Sequence, residues 1–185
     1  MSAPSIEALT AKGSPNTPAQ WANLRLLQKF LGDLPFEYTI TSAYRTSAHN
    51  AAIGGSSTSQ HPNGLAVDLV PQGLTNRELA TWLWVNRNQY PELDQVIWYT
   101  STNHVHIGIC PPKAEGCVAG APRKSFLAAG SEGSGYSSWS PSSEEIASIS
   151  SRFPFGRPWP WLLIGAGVAA AATLGIGLYI FTRGR

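Results

Sequence analysis

The sequence predicts an α+β domain with a small, largely antiparallel sheet and flanking helices, followed by one C-terminal transmembrane helix. Three observations predict it: four short β-rich runs, two segments with helical apolar spacing and clear start signals, and a long uncharged stretch near the C-terminus. The chain has 185 residues, of which 43% are hydrophobic. That is enough for one domain with a real core plus extensions.

Two segments carry the signals of helices. Thr17 can cap a helix whose first residue is Pro18, because proline suits the first helical turn. Apolar residues then recur at helical spacing, at Trp21, Leu24, Leu27, Phe30 and Leu31. Thr75 and Glu78 form a capping box that predicts a second helix through about residue 87.

Four runs have the alternation and β-branched content of strands. They cover residues 36–42, 65–70, 94–100 and 104–109. The last two are joined by the short polar turn "STN", which predicts an antiparallel pair. A loop and a short helix, in "YRTSAHNAAIGG", separate the first two.

Changes in composition divide the chain into five segments. These are an irregular lead-in at 1–16, the folded domain at 17–129, a Ser/Gly/Pro-rich flexible linker at 130–157, a transmembrane helix at 158–182 and a basic tail at 183–185. The N-terminus lacks the basic start and apolar run of a secretion signal, so the sequence predicts a single-pass, C-terminally anchored protein.

The stretch 158–182 contains no charged residue. A bilayer core requires about 20 apolar helical residues, and this stretch is long enough. Aromatic residues of the kind found at membrane interfaces lie near its ends, at Trp159, Trp161 and Tyr179. The alternative is a buried helix of a soluble domain. A long apolar stretch near the C-terminus has nothing else to cover it, so the predicted partner of this segment is a lipid bilayer.

Charge and cysteine content narrow the other possibilities. The net charge is +2, with scattered basic residues, which argues against nucleic acid as a partner. Cys110 and Cys117 either close a short loop as a disulfide in an oxidising compartment or remain two thiols.

Asp68 lies within "LAVDLV", a run otherwise typical of a core strand. A buried charge needs a partner, a hydrogen bond or a metal. Side chains alternate along a strand, so His104 and His106 share one face of the last strand while its valine and isoleucines face the core. With His61, these residues can form an open zinc site of two histidines and one carboxylate, or the histidines can simply face solvent.

The longer stretch around these residues resembles a known family. "SAYRTSAHNAAIGGSSTSQHPNGLAVDLV" is similar to the first signature of the zinc D-alanyl-D-alanine carboxypeptidases and L-alanyl-D-glutamate endopeptidases, in the lysostaphin/D-Ala-D-Ala metallopeptidase group. "DQVIWYTSTNHVHIGI" resembles their second signature. The resemblance covers about residues 20–110 and suggests a phage-lysin-like member with a C-terminal anchor.

The resemblance implies a role for each matching residue. His61, Asp68 and His106 would bind one zinc ion. Arg45 would hold a substrate carbonyl or carboxylate, which suits the fork of a guanidinium. Ser59 would support the site through a hydrogen bond, and Tyr44 belongs to the same motif.

The general base is where the sequence departs from the pattern. Many relatives carry an acidic residue three positions before the last zinc histidine, and here that position is Asn103. An amide cannot accept the proton, so His104 is the candidate catalytic group. Asp94 is the alternative base, or it is structural.

The implied activity is zinc-dependent hydrolysis of peptide bonds next to D-amino acids in peptidoglycan stem peptides. The resemblance does not distinguish a carboxypeptidase from an endopeptidase. With the anchor, it suggests a protein of a host membrane or of the internal membrane of a phage virion. The rival hypothesis is a zinc-binding, catalytically inactive membrane-anchored binding or structural virion module, which Asn103 favours.

Overall fold

The computed structural model describes residues 3–112, 114–117, 122–131 and 134–153. All of them lie in one compact unit, Met1–Pro154. Within these ranges no helix combines the length and the apolar character needed to cross a bilayer. The predicted anchor at 158–182 and the tail at 183–185 lie outside the described residues.

The described elements alternate between helices and strands. The helices are α1 (Ile6–Leu9), α2 (Pro18–Gly32), α3 (Ser47–Ala52), α4 (Asn76–Asn86) and α5 (Ser143–Arg152), with a 3-10 turn at His61–Asn63. The strands are β1 (Tyr38–Ser42), β2 (Ala66–Pro71), β3 (Leu93–Tyr99), β4 (Val105–Ile109), β5 (Ser125–Ala129) and β6 (Ser137–Ser138).

The two predicted long helices form at the predicted places. In α2 the Thr17 side chain accepts from the backbone N–H of Gln20, whose own side chain accepts from the backbone of Thr17. The same reciprocal capping joins Thr75 and Glu78 at α4. Each box satisfies backbone donors that the first helical turn leaves unpaired, which explains why the helices begin there.

Six strands within the described residues form one mixed sheet in the order β1-β2-β4-β3-β5-β6. The α+β class is confirmed, and the first four strands form three antiparallel pairs as predicted, β1 with β2, β2 with β4 and β4 with β3. β5 pairs parallel to β3, however, and β6 adds to β5. Neither strand was predicted from the sequence, because β5 is rich in alanine and β6 consists of only two serines.

One face of the sheet carries the main core. Apolar side chains of β2 and β4 there are almost fully buried with those of α2 and α4, at Leu24, Leu27, Val67, Leu69, Leu79, Leu83, Val105 and Ile107. Trp82 of α4 packs edge-on against Phe36, with ring centroids 5.2 Å apart. Burial at about 25 cal/mol per Å2 makes this layer the main source of stability. The opposite face carries Asp68 and His106 beside a smaller apolar cluster of Ile97, Tyr99 and Ala129.

Residues 134–153 differ from the flexible linker expected there. They contain β6 and α5, and α5 packs against α4. Ser142 and Glu145 form a capping box, and Ile149 is only 2% exposed. Ion pairs join Arg77 to Glu145 and Glu78 to Arg152. The serine-rich composition did not indicate this helix, because the burial of Ile149 and the two ion pairs are contacts with distant parts of the chain.

The chain between β4 and β5 is closed by a disulfide. Cys110 and Cys117 are bonded, with their Cα atoms 5.4 Å apart. The side-chain amide of Asn23 on α2 donates to the carbonyls of Asn63 and Glu115, at 2.8 and 2.9 Å. These bonds hold the disulfide loop beside the turn that carries His61.

Candidate active site

A row of residues crosses the sheet on the face opposite the main core. In the strand register Ser42 pairs with Asp68, and Asp68 pairs with His106. The row continues from His106 to Ile97 on β3 and then to Leu127 on β5. Pairing therefore brings together residues from five strands that lie far apart in the sequence.

Three donor atoms meet at one end of this row. His61 Nε2 lies 3.2 Å from Asp68 Oδ1 and 3.3 Å from His106 Nδ1, and His106 Nδ1 lies 2.9 Å from Asp68 Oδ1. Ligands at about 2.0–2.2 Å from a tetrahedral zinc are themselves about 3.3 Å apart, so the triangle has the right size. The three residues are buried and form a potential metal-binding group.

The orientation of His61 also fits a metal. It begins the 3-10 turn that Gly64 ends in a left-handed conformation, with φ of 70°. Its Nδ1 lies 2.5 Å from the carbonyl oxygen of Ala43. A carbonyl can only accept, so Nδ1 carries the proton and Nε2 presents a lone pair toward Asp68 and His106. A histidine ligand is usually oriented in this way.

The protonation states suit the same role. Burial raises the pKa of Asp68, but when the two histidines carry protons on the facing nitrogens, the charge of His61 and hydrogen bonds from both rings outweigh it and hold that pKa well below its usual range. A cation bound in place of those protons would have the same effect. Burial lowers the pKa of His106, and its contact with Asp68 offsets this only in part. An ionised carboxylate beside a neutral imidazole is the form in which both bind a metal.

Arg45 lies behind the carboxylate of Asp68. Its Nη2 forms a buried ion pair with Asp68 Oδ2, and its Nε donates to Ser42 Oγ at 2.7 Å. Asp68 therefore directs one oxygen at the histidines and the other at arginine. This pairing lowers the cost of burying the carboxylate and fixes its direction.

Taken together, the donor set matches zinc. Two imidazole nitrogens and one carboxylate oxygen are ligands that zinc prefers, and three protein ligands are typical of its catalytic sites. Without a cation or a shared proton, three such acceptors so close together would repel one another. The residues that would hold one Zn2+ ion are therefore His61, Asp68 and His106.

The site opens into a cavity of about 370 Å3. His61, His106 and Arg45 lie on its wall, and the rest of the lining is Asn50, Gly54, Gly55, Ser56, Thr58, Ser59, Gln60, Gln95, Ile97, Tyr99, Arg123, Leu127 and Tyr136. Ser59 Oγ accepts from the backbone N–H of His61 at 3.4 Å. Polar groups thus surround an apolar strip formed by Ile97 and Leu127.

Other predicted site residues lie further away. The ring of His104 packs against Tyr99, with centroids 4.9 Å apart, and Tyr99 rather than His104 lines the cavity. Asn103 is exposed in the turn before β4. Tyr44 is buried in the hydrophobic core. Their roles in substrate binding or catalysis stay predictions.

The structure adds a buried network that sequence reasoning missed. Asp94 is fully buried and binds Arg123 through Nη2 at 2.6 Å and Nε at 3.0 Å. Gln60 donates to Asp94 at 3.1 Å and to the carbonyl of Ile109 at 3.2 Å. Asp94 therefore has a structural role. Only the position of Gln60 beside His61 could have pointed to this network.

Gly108 makes room for Gln60. A Cβ atom at this position would lie 2.0 Å from Gln60 Oε1, well inside van der Waals contact. The glycine in "HVHIGI" thus permits the amide of Gln60 to cross β4. Because Gln60 precedes His61, this contact helps to set the position of the first metal ligand.

Comparison with known proteins agrees with this geometry. A family model described as Peptidase M15 matches residues 6–108, a range that contains His61, Asp68 and His106. No curated protein matches the chain. Peptidases of this family are zinc-dependent. The match covers more than half of the chain and includes all three candidate metal ligands, and the chain therefore belongs to the Peptidase M15 family.

Proposed function

We propose that the protein is a zinc metallopeptidase that hydrolyses peptide bonds next to D-amino acids in peptidoglycan stem peptides. The observation that carries the proposal is the buried triangle of His61, Asp68 and His106 at the wall of an open cavity. Membership of the Peptidase M15 family supports the peptidase activity. The choice of stem peptides rests on the resemblance of the two signatures.

The residues of the site have two kinds of role: some hold the metal, and others bind the peptide substrate. His61, Asp68 and His106 would hold a zinc ion, which would supply Lewis acidity for a peptide carbonyl and for a water molecule. Arg45 with Ser42 fixes the carboxylate of Asp68. The neutral polar groups of the cavity bind the peptide backbone by hydrogen bonds.

His104 is the proposed group that moves the proton. None of the described residues lining the cavity is an aspartate or glutamate. A histidine side chain can serve as general base or general acid. The ring of His104 packs on Tyr99, which lines the cavity, so His104 lies directly behind the cavity wall.

The decisive experiment incubates the full 185-residue chain with purified peptidoglycan, with and without a chelator, and identifies fragments by mass spectrometry. We expect cleavage that the chelator abolishes and zinc restores. His61→Ala should lose zinc and activity together. His104→Ala should keep zinc and lose about 100-fold or more in rate. The masses of the fragments distinguish an endopeptidase from a carboxypeptidase.

His49→Ala is the matched control, since this histidine lies on α3 and is not part of the cavity lining. It should cleave like the wild type. A folded, zinc-loaded wild type that cuts neither peptidoglycan nor stem peptides would contradict the proposal. That result would favour the rival function, a zinc-binding module without catalysis, for which the amide at Asn103 is the supporting feature.

The proposed location is a membrane, reached through a C-terminal helix at 158–182. The uncharged composition of this segment supports it. Anchoring to a host membrane or to the internal membrane of a phage virion would hold the enzyme close to the wall during entry or release. We expect the full chain to co-sediment with liposomes and a chain ending at residue 153 to remain in solution. Equal recovery of both chains in the supernatant would exclude the anchor.

A further inference from the structure

One wall of the cavity comes from residues that follow the Peptidase M15 match. Arg123, Leu127 and Tyr136 line the cavity together with His61 and His106. β5 pairs with β3 so that Leu127 lies beside Ile97, which itself pairs with His106. A ligand extending from the metal ligands along this row would therefore reach the wall that Arg123 borders.

Asp94 holds the guanidinium of Arg123 by one edge. Oδ2 of Asp94 accepts from Nε at 3.0 Å and from Nη2 at 2.6 Å, and Oδ1 accepts from the backbone N–H of Arg123 at 2.5 Å. The carboxylate thus occupies the Nε and Nη2 edge. The other edge, formed by Nη1 and Nη2, makes no further hydrogen bond to any residue that the structure describes, so it can bind a second partner. The side chain of Arg123 is 31% exposed and lines the cavity, whereas Asp94 is fully buried.

The backbone after Arg123 is also held in place. Lys124 has a φ of 48°, in the left-handed region that a residue with a Cβ atom rarely adopts. Its Nζ donates to the carbonyl of Arg87 at 2.8 Å. A costly conformation persists only where the surrounding contacts impose it, and it is common at ligand sites. Here it follows directly after Arg123, whose own backbone N–H is held by Asp94.

The charges around the cavity favour an anion at this edge. Its described lining contains two cationic side chains, Arg45 and Arg123, and no acidic one. Arg45 already serves the metal ligand Asp68 from a buried position. Arg123 is the more accessible of the two, and the fork of a guanidinium matches a carboxylate in geometry.

We propose that Arg123 is a specificity-determining residue that binds a carboxylate of the peptide substrate through its Nη1 and Nη2 edge. Asp94 and Gln60 are its positioning residues, since Gln60 joins Asp94 to the turn that begins with His61. The identity of the ligand as a peptide rests on the proposed function. The substrate class is a stem peptide with a free carboxylate within reach of the β5 wall.

The test compares a synthetic stem pentapeptide with matched peptides in which each carboxylate in turn is an amide. Binding to the zinc-loaded full chain is measured by calorimetry, and kcat/KM is measured where cleavage occurs. We expect one amidation to weaken binding to the wild type by about tenfold or more, because hydrogen bonds to a charged group are lost. Arg123→Gln should bind the acid and that amide equally, and Arg123→Lys should retain part of the preference.

Arg25→Gln is the matched control, since it removes the same charge from an exposed site on α2 and should keep the wild-type preference. Arg123→Gln leaves Asp94 buried without its cation, so it can fail to fold. The double variant Asp94→Asn with Arg123→Gln removes both charges and should show the same loss of preference with full zinc content. A merely structural Arg123 would change stability but leave the ratio between acid and amide unchanged.

Three results would overturn the proposal. They are a wild type that binds no peptide, a wild type that distinguishes no amide, and an Arg123→Gln protein that keeps the wild-type preference. Failure of the proposed function looks different. In that case the wild type cleaves nothing, yet still binds the acid more tightly than the amide in a manner that depends on Arg123.

Discussion

Two of the candidate metal ligands, Asp68 and His61, make one contact toward the metal site and another on the side away from it. Asp68 directs Oδ1 at two histidines and Oδ2 at Arg45. His61 donates from Nδ1 to a backbone carbonyl and keeps Nε2 for the site. Each side chain is therefore held by the end that does not face the metal. Groups of this kind that orient a ligand typically contribute a further 10–100-fold to metal affinity.

Arg45→Lys tests this arrangement. An ammonium is a point charge and cannot bond Ser42 Oγ and Asp68 Oδ2 in the fixed geometry of the guanidinium. We expect zinc affinity to fall about 10–100-fold with the fold intact. Competition with a chromophoric chelator measures it, and Arg25→Lys, on an exposed site, is the control. Unchanged affinity would show that Arg45 does not orient Asp68.

Gly108→Ala tests the contact between β4 and Gln60. The new Cβ would lie 2.0 Å from Gln60 Oε1, so the amide must leave Asp94 and the carbonyl of Ile109. We expect a loss of about 1–3 kcal/mol in the free energy of unfolding, measured with denaturant. Gly135→Ala, which would meet nothing within 4 Å, should be nearly neutral.

A second variant identifies the cause of that loss. Combining Gly108→Ala with Gln60→Ala removes the clash, so the double variant should be less destabilised than the sum of the two single variants. Strict additivity of the two changes would mean that the cost of Gly108→Ala arises elsewhere.

At the scale of secondary structure, the strand register decides where the chemistry lies. The pairs between β1, β2 and β4 align Ser42, Asp68 and His106. The additions β5 and β6 lengthen the same face, and α5 closes the outer surface of α4. Of these late elements, β6 and α5 have few apolar residues of their own. Their stability therefore depends on contacts with the earlier part of the domain.

The attachment of α5 should weaken in acid. Hydrogen bonds from Arg77 and from the backbone of Ser142 lower the pKa of Glu145 from 4.5 to about 2. Because the folded pKa is the lower one, this stabilisation is present above about pH 4.5 and is lost as the pH falls toward 2. The pair is partly exposed, so it contributes only about 0.5–1 kcal/mol.

Hydrogen exchange of the α5 amides between pH 6 and pH 2 measures this effect. Protection of α5 should fall sooner than that of the core strands. Glu145→Gln should start lower and lose less protection over the same range. If the variant and the wild type respond equally to pH, another group controls the attachment.

At the scale of the whole molecule, the folded unit extends beyond the family match. The match ends at residue 108, but Phe126, Trp139 and Ile149 pack with the main core. The ring centroids of Trp139 and Trp98 lie 6.0 Å apart, and the guanidinium group of Arg77 lies over the ring of Trp98. The cavity is likewise lined by both parts of the chain, with one wall from the matched region and one from the residues that follow it.

Truncation tests where the domain ends. A chain ending at residue 153 should unfold cooperatively with the stability of the full chain and bind zinc with the same affinity. A chain ending at residue 130 loses Trp139 and Ile149, and we expect it to be destabilised by about 3–5 kcal/mol, comparable with removing a buried tryptophan. Denaturant unfolding of both chains is the measurement. Equal stability would mean that the domain already ends at β5.

Local features of this protein could be predicted from the amino-acid sequence. The capping box of Thr75 and Glu78 acts over three residues, and the alternation in "LAVDLV" acts within one strand, so the helices, four strands and the candidate zinc ligands could be identified. The family resemblance added specificity that the spacing alone did not have.

Features that depend on pairing between distant parts of the chain became visible in the folded structure alone. The parallel addition of β5 to β3, the docking of α5 on α4, and the ion pair between Asp94 and Arg123 join residues that no local pattern relates. Residue composition even argued against order after residue 130. The physical reason is that these segments are stabilised by partners across the fold, whereas propensity and periodicity record only neighbours along the chain.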